Sequence, residues 1–273
     1  NVIGAFVSAY KNGETPNPCF RCNQTIKFGV MLDWALAHGF DKIATGHYAE
    51  IVEEGERTKL KRSPDQKDQS YFLSGLTPAQ LSRTLLPLNR MGKAETRALA
   101  QQHGLPVAQK PDSQEICFIP DNDYVSFLER FGGPLPGPGD FVAPDGAVLG
   151  AHRGIYRYTI GQRKGLGLGI EHPYYVCEKR PEDNTVVLGP NEALFTTELD
   201  AGDFNWIAYD TPPAELHVKA KIRYRQQEQP ATVTQNPDGT VHVSFDEPQR
   251  AIARGQAVVL YDGDTVVGGG TIL

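Results

Sequence analysis

The chain has 273 residues, 40% of them hydrophobic and 22% charged, so it can bury an ordinary core and is long enough for two or three domains. Its formal net charge of −6 excludes an indiscriminate nucleic-acid binder, but not a specific one whose basic residues cluster. No apolar run approaches the ~20 residues that cross a bilayer, and four cysteines are too few for a secreted disulfide scaffold. We therefore expect a cytoplasmic protein with no membrane association, whose thiols serve catalysis, redox chemistry or metal binding.

The first notable element is a C-x-x-C pair, Cys19 and Cys22, which follows an extended stretch with Pro16 and Pro18 and precedes an amphipathic helical run. Backbone N–H groups and the helix dipole at a helix N-terminus stabilise a thiolate, which makes a cysteine there a nucleophile or a metal ligand. No second C-x-x-C or C-x-x-H completes a closed zinc site, and no strand precedes the pair as in thioredoxin-like motifs. The pattern indicates reactive thiols and leaves their use open.

The segment that follows predicts an α/β unit. An apolar face predicts a helix over residues 25–40 that stops at Gly39, and residues 41–48 have the pattern of a short buried strand ending in Gly46 and His47. This order of helix, strand and glycine places a site at the carboxyl end of the strand. By position alone, His47 is equally compatible with a structural histidine bonded to a neighbour.

The rest of the first half is predicted as scaffold around two loops. Residues 51–63 are typical of a hairpin, and helices are predicted over residues 78–85 and 93–103. The polar loop over residues 63–72 leads into an aromatic segment, a pattern shared by solvated loops and by functional loops on a rigid scaffold. Cys117 lies in a second polar, loop-like stretch.

The second half is predicted to be rich in β-structure. Glycine and proline over residues 131–139 indicate a linker, and short β-branched runs separated by turn residues follow to the end. Such runs are typical of barrels and sandwiches, and we place a boundary between two β-rich domains near Leu199. Cys177 is interpreted as a buried strand residue.

Four cations alternate with other residues near the C-terminus: Lys219, Lys221, Arg223 and Arg225. If residues 219–225 form a strand, the four share one face and Tyr224 packs on the other. A solvated barrel face and a phosphate-binding face both explain this pattern. The concentration of positive charge in an acidic chain favours phosphate binding.

Seven motifs occur in order over nearly the whole chain: Thr15-Pro-Asn-Pro-x-x-x-Cys-Asn-x-x-Ile-Lys-Phe28, Ala44-Thr-Gly-His-Tyr48, Lys67-Asp-Gln-Ser-Tyr-Phe-Leu73, Asp112-Ser-x-x-Ile-Cys-Phe-Ile119, Thr159-Ile-Gly-Gln-Arg-Lys-Gly-Leu-Gly167, Arg223-Tyr-Arg-Gln226 and Phe245-Asp-Glu-Pro-Gln-Arg250. Together they resemble the tRNA-specific 2-thiouridylases of the MnmA type. The resemblance implies a partial adenine-nucleotide alpha-hydrolase-like α/β domain over residues 1–118, followed by two β-rich domains. The central one covers residues 119–198, and the last, over residues 199–273, is a small β-barrel.

The resemblance also implies 2-thiolation of the wobble uridine of tRNA. ATP, with Mg²⁺, would adenylate the C2 oxygen, because oxide is a poor leaving group and AMP a good one. A persulfide on Cys117, loaded by a cysteine desulfurase or a sulfur-relay protein, would supply the sulfur, with Cys22 as the nucleophile that attacks it or forms a disulfide with it. Gly46 matches a backbone contact to ATP. The positions that match contacts to tRNA are Asn17, Pro18, Cys19, His47, Lys67, Asp68, Gln69, Arg223, Tyr224 and Gln256.

Two features depart from the family pattern. The chain begins at Asn1 rather than Met and contains no S-G-G-x-D-S phosphate loop, so we expect the ATP-binding half to be missing and this chain to be inactive alone. Cys19 stands where many members have Asp, which removes the acid or base role of that Asp and adds a third thiol.

Two alternatives follow from these departures. Cys19, Cys22 and Cys117 are also the three thiolates that could hold a [4Fe-4S] cluster, whose fourth iron would be free to bind hydrosulfide. The absent phosphate loop is also compatible with a non-catalytic tRNA-binding fragment.

Overall fold

The computed structural model of the chain describes residues 2–64, 67–110, 116–169 and 173–273. Its helices are α1 (Val2–Lys11), α2 (Pro18–Cys22), a π-helical segment (Asn23–Val30), α3 (Met31–Ala37), α4 (Ser70–Leu73), α5 (Pro78–Ser82), α6 (Lys93–Gln102) and α7 (Tyr124–Phe131). Its strands are β1 (Ile43–Ala44), β2 (Ala49–Glu54), β3 (Arg57–Arg62), β4 (Thr84–Leu85), β5 (Gly139–Val142), β6 (Val148–His152), β7 (Tyr175–Arg180), β8 (Thr185–Gly189), β9 (Phe195–Trp206), β10 (Glu215–Lys221), β11 (Gln229–Gln235), β12 (Val241–Arg250), β13 (Ala257–Asp262) and β14 (Thr265–Ile272). Within the described ranges, no helix has the length and apolar character needed to span a membrane.

The helical run around the C-x-x-C pair starts earlier than predicted. A helix was predicted over residues 25–40, but α2 begins at Pro18 and continues through the π-helical segment into α3. The side-chain oxygen of Asn17 accepts a hydrogen bond from the backbone N–H of Phe20 (3.1 Å) and so caps the first turn. The pair therefore lies inside the first turns of the helical run and not ahead of it.

A parallel pair of strands, β1 and β4, confirms the predicted α/β character of the first half. The helix predicted over residues 78–85 is wrong at its end, because α5 stops at Ser82. The backbone carbonyl of Arg83 accepts a hydrogen bond from the N–H of Ile43 (3.0 Å), so the chain beyond α5 pairs with β1 instead of extending the helix.

The C-terminal strands close into a six-stranded barrel. Its strand order is β13, β10, β11, β12, β9 and β14, and β14 pairs again with β13. Buried aliphatic side chains fill it, among them Val241, Val243, Val258 and Leu260. The small β-barrel predicted from the sequence is thereby confirmed.

The predicted hairpin forms from β2 and β3, and it attaches the first half of the chain to the barrel. Strand β3 pairs with β14 where Lys61 lies opposite Thr265. Next to this pairing, Leu60 and Tyr71 share one buried cluster with Tyr261 of β13. The two halves therefore share a hydrophobic core.

The central part has a four-stranded sheet of order β6, β5, β8 and β7, in which β5 and β8 run parallel. Its core contains Phe141, Ile155 and Val176. Cys177 lies on β7 as predicted, but it is half-buried rather than buried. The exact domain boundaries at residues 118 and 198 stay a prediction.

Leu60→Ala tests the shared core. The side chain of Leu60 is fully buried, so its truncation leaves a cavity between hairpin and barrel, and we expect a loss of roughly 2–5 kcal/mol in the free energy of unfolding, measured with urea. Leu99→Ala is the control, because Leu99 on α6 is 42% exposed. Equal losses in the two variants would contradict a shared core at Leu60.

Candidate functional site

A cleft of about 1470 Å³ opens where the first half of the chain, the central part and the barrel meet. Among the described residues, the first half contributes the helical run and the loop after β3, among other segments. The central part contributes a short segment, and the barrel contributes the turn after β10 and residues just before β13. Its lining residues are Thr15, Cys19, Asn23, Lys27, His47, Tyr48, Arg62, Ser63, Lys67, Asp68, Gln69, Phe72, Lys93, Thr159, Ile160, Lys221, Arg223, Tyr224, Arg225, Ala253 and Gln256.

The structure brings together most of the residues that the sequence marked as contacts to tRNA. The cleft is lined by Cys19, His47, Lys67, Asp68, Gln69, Arg223, Tyr224 and Gln256. Asn17 and Pro18 lie beside it on a smaller cavity of about 240 Å³. Cys22, Cys117 and Gly46 are outside the lining of both cavities. The first part of the Cys117 motif, residues 112–115, lies outside the described residues.

Positive charge dominates the cleft. Among its described lining residues, seven are Lys or Arg and one, Asp68, is acidic, whereas the whole chain has 27 basic and 33 acidic residues. The prediction that four cations share one strand face is wrong, because β10 ends at Lys221 and residues 222–225 form a turn. The turn still directs Arg223 and Arg225 into the cleft. The predicted basic cluster is therefore present, but part of it lies on a turn instead of a strand.

Helix α2 is fixed from its buried side. The ring of Phe20 is buried against Gly75, where a Cβ atom would lie only 2.8 Å from the ring, so only glycine fits this contact. One turn later, the side-chain amide of Asn23 donates to the backbone carbonyl of Phe72 (3.2 Å). Because these two contacts hold one face of the helix, Cys19 is presented to the cleft.

The barrel holds the backbone just before α2. The N–H of Thr15 donates to the carbonyl of Arg254 (2.8 Å), and the side-chain amide of Gln256 donates back to the carbonyl of Thr15 (2.8 Å). Gln256 therefore both lines the cleft and positions the segment that leads to Cys19.

All four cysteines carry free thiols. Cys19 is accessible at the cleft, yet the surrounding protein partly desolvates its thiol and raises its pKa, with the neighbouring Cys117 thiol adding to the shift and the Lys27 ammonium opposing it. Cys117 is exposed and is held in place by Phe118, whose ring packs on Phe6 at 5.4 Å. Within the described residues, no group of three or more Cys, His, Asp or Glu side chains has the arrangement of a metal site.

His47 is a neutral imidazole at the cleft wall. Its Nδ1 shares a hydrogen bond with the hydroxyl of Thr45 (2.8 Å), and its ring lies 5.9 Å from that of Phe28. Burial, and then repulsion from Lys27, lower its pKa to about 4. At neutral pH it can therefore form hydrogen bonds but carries no charge toward a phosphate.

Hydrogen bonds hold the loop at residues 67–69 in place. The carboxylate of Asp68 accepts hydrogen bonds from the backbone N–H groups of Ser63 (3.0 Å) and Ser70 (3.1 Å) and from the hydroxyl of Ser70 (2.8 Å). Gln69 exchanges hydrogen bonds with the backbone of Tyr48. The acidic side chain thus shapes the loop that presents Lys67 to the cleft.

Sequence reasoning missed three cations of the cleft, Lys27, Arg62 and Lys93. Arg62 is held by an ion pair with Glu228 (3.0 Å) and lies 3.9 Å above the ring of Tyr261. These residues come from separate helices and strands, so no local pattern joins them. Of the three, only Lys27 could have been found from the sequence, because it lies within the motif that runs from Thr15 to Phe28.

An α/β unit joined to two β-rich parts around a basic cleft, with a thiol in its wall, is the architecture expected of a nucleic-acid-binding protein with an accessible thiol. Family models agree with each part: the tRNA methyl transferase HUP domain matches residues 1–121, the tRNA methyl transferase PRC-barrel domain matches residues 125–190, and the aminomethyltransferase beta-barrel domain matches residues 196–272.

Curated relatives extend over the whole chain. The chain is 49% identical over 275 residues to the tRNA-specific 2-thiouridylase MnmA of Acetivibrio thermocellus, which covers 100% of this chain and 77% of that protein. It is 50% identical over 274 residues to tRNA-specific 2-thiouridylase MnmA 1 of Clostridium botulinum strain Loch Maree, with the same two shares. It is 48% identical over 274 residues to the enzyme of that name from Clostridioides difficile, with shares of 99% and 76%. The chain belongs to the MnmA family of tRNA-specific 2-thiouridylases.

Lys27→Met tests the electrostatic coupling in the cleft. Since Lys27 disfavours the charged imidazole, its removal should raise the pKa of His47 from about 4 toward, but not to, its ordinary value of 6.5, because burial remains. The ring signals of His47 in an NMR titration report this pKa. Between pH 6.5 and 4 the imidazole of His47 is protonated in the unfolded chain but not in the folded one. The free energy of unfolding therefore decreases as pH falls through this range, and it decreases less in the variant.

Lys42→Met provides the control, since Lys42 is exposed and outside the cleft lining. If both variants leave the His47 titration unchanged, Lys27 and His47 are not coupled.

Proposed function

We propose that the chain binds tRNA in the basic cleft and takes part in replacing the C2 oxygen of the wobble uridine by sulfur. The observation that carries this proposal is the excess of cations around the thiol of Cys19, in a chain that is acidic overall. A cleft of this kind suits a polyanion from which one nucleotide enters. Cys19 connects the cleft wall to the reacting thiols, because Cys117 and Cys22 lie close enough to contribute to the raised pKa of its thiol.

The two walls of the cleft suit different parts of a nucleotide. On the barrel side, Lys221, Arg223 and Arg225 supply positive charge for phosphates. The ring of Tyr224 packs against Phe72 at 4.5 Å, and both side chains line the cleft. Exposed bases of single-stranded RNA commonly stack on aromatic rings, so this pair is our candidate for holding an anticodon base.

Neutral His47 serves as a hydrogen-bonding partner for RNA rather than as a charge. Its ring is oriented by Thr45, and the Asn17-capped start of α2 lies next to the cleft. We infer that His47, Asn17 and Pro18 contact the target nucleotide, while Lys67, presented by Asp68 and Gln69, contacts the backbone.

Activation of the uridine requires a leaving group at C2. ATP supplies an adenylyl group for the C2 oxygen, so that AMP leaves in place of oxide. Gly46 follows β1 at the carboxyl end of a parallel strand, where nucleotides bind in α/β folds, which supports its role as a backbone contact to ATP.

Sulfur transfer follows from the thiols. The terminal sulfur of a Cys117 persulfide attacks C2 and expels AMP, and the Cys22 thiolate then attacks the Cys117 sulfur. The sulfur–sulfur bond of the adduct breaks, C2 keeps the transferred sulfur, and a Cys22–Cys117 disulfide forms that a reductant must later reduce. If Cys22 attacks the Cys117 persulfide first, hydrosulfide is released and the same Cys22–Cys117 disulfide forms. The hydrosulfide then adds to C2 and expels AMP. A cysteine desulfurase or a sulfur-relay protein reloads Cys117.

The [4Fe-4S] route stays an alternative hypothesis for the same reaction. The free thiols of Cys19, Cys22 and Cys117 do not form a metal-holding group in the described structure, so we derive no step through a cluster. Iron and sulfide analysis after anaerobic purification separates the two routes. Tight tRNA binding without thiolation by the full-length gene product would instead favour the non-catalytic alternative.

Cys22→Ser and Cys117→Ser test the chemistry in the full-length gene product. Each should abolish thiolation, because a hydroxyl group can neither carry a persulfide nor accept sulfur, while tRNA affinity stays within a few fold of the wild type. Formation of 2-thiouridine is measured by nucleoside analysis. Cys177→Ser is the control, since Cys177 lies on β7 away from the cleft. Activity retained by either site variant removes that thiol from the mechanism.

Arg223→Ala combined with Arg225→Ala tests tRNA binding by the barrel side of the cleft. We expect weaker binding and a flatter dependence on salt, with the slope of log K against log salt falling by about 0.7 to 0.9 per lost phosphate contact. Lys61→Ala is the control, because Lys61 pairs with Glu54 (3.1 Å) and lies outside the cleft lining. Unchanged affinity and slope in the double variant would show that these cations do not contact the tRNA.

A further inference from the structure

Among its described residues, the central part of the chain reaches the cleft through a short segment, residues 159–164, which we call the 159–164 loop. Thr159 and Ile160 line the cleft, and the chain then turns outward so that Arg163 and Lys164 are exposed. Two cations therefore lie a few residues beyond the cleft wall, on a part of the protein to which the proposed reaction assigns no role.

The side chain of Gln162 holds the loop in one conformation. Its carbonyl oxygen accepts a hydrogen bond from the backbone N–H of Thr159 (3.0 Å), and its amide nitrogen donates to the backbone carbonyl of Lys164 (3.0 Å). Both ends of the loop are thus tied to one side chain. This restrains the backbone that carries the two cations.

The loop is also fixed to its surroundings. The N–H of Gly161 donates to the carbonyl of Val176 (2.8 Å), and the N–H of Val176 donates to the carbonyl of Gln162 (3.0 Å). Gly161 has a positive φ of 86°, and a Cβ atom there would lie 3.1 Å from Cβ of Ala251 at the barrel. Glycine thus allows the loop to pack closely between the central sheet and the barrel.

Within the described residues, neither Arg163 nor Lys164 forms an ion pair with an acidic side chain. Their charges add to those of the seven cations that line the adjoining cleft. Because the backbone is already ordered, an anion that binds here meets a smaller entropy cost than on a mobile loop.

We propose that the 159–164 loop binds backbone phosphates of the tRNA adjacent to the nucleotide held in the cleft, and that Arg163 and Lys164 make these contacts while Gln162 positions them. This inference rests on the proposed function. It gives the central domain a direct part in binding the substrate.

The test measures binding of a fluorescently labelled tRNA to the purified chain over a range of salt concentrations. For Arg163→Gln combined with Lys164→Gln, we expect several-fold weaker binding and a slope of log K against log salt that is lower by about 1.4 to 1.8, or about 0.7 to 0.9 for each lost contact. The matched control is Arg130→Gln combined with Arg153→Gln, which removes the same charge from exposed central-domain positions outside the cleft and should leave the slope unchanged.

Gln162→Ala separates positioning from charge. It keeps both cations, so we expect several-fold weaker binding with an unchanged salt slope, because the number of phosphate contacts stays the same. The proposal is overturned if the wild type binds tRNA and the Arg163/Lys164 double variant keeps its affinity and slope, or changes no more than the control does. If the wild type itself binds tRNA no better than unrelated polyanions, the proposed function fails, and this inference fails with it.

Discussion

The backbone around Glu14 and Thr15 is the point on which the arrangement of the cleft depends. The barrel holds Thr15 by two hydrogen bonds of 2.8 Å, through the backbone of Arg254 and the side chain of Gln256. From the central domain, the buried ammonium of Lys179 donates to the carbonyl of Glu14 (3.4 Å), and burial lowers its pKa to about 8. The two bonds to Thr15 each contribute only about 0.5–1.5 kcal/mol to stability, so they matter chiefly because they fix the geometry of this segment. They fix where α2 starts and therefore where its thiols lie.

Positive charge in the cleft is the second organising feature. Lys221 lies near the rings of Tyr71 and Tyr224, and burial is the main cause of its lowered pKa, with repulsion from Arg62 acting in the same direction. The fold tolerates this repulsion because Glu228 and Asp68 offset part of it. The proposed RNA, a polyanion, would neutralise the remainder on binding in the cleft.

The sequence predicts those parts of the structure whose signals are local. Short β-branched runs separated by turn residues predict the barrel, and the pattern of residues 51–63 predicts the hairpin. The alternation of cations with other residues is misleading at residues 222–225. It continues in the sequence after β10 has ended and the backbone has turned. Arg62 and Lys93 enter the cleft only through tertiary packing, which single-sequence patterns do not contain. The contacts to tRNA assigned by resemblance are largely gathered in one cleft, whereas the roles of the thiols stay predictions.

The pairing of Lys61 with Thr265 sets an order of events during synthesis. Strand β14, which lies beside β3, follows it far along the chain, so β3 is synthesised well before its partner. The hairpin and the loop that carries Lys67 must therefore wait, unpaired along one edge, for about two hundred residues to be added. A chain that ends before β14 can therefore complete neither the six-stranded barrel nor the strand pairing that attaches the hairpin to it.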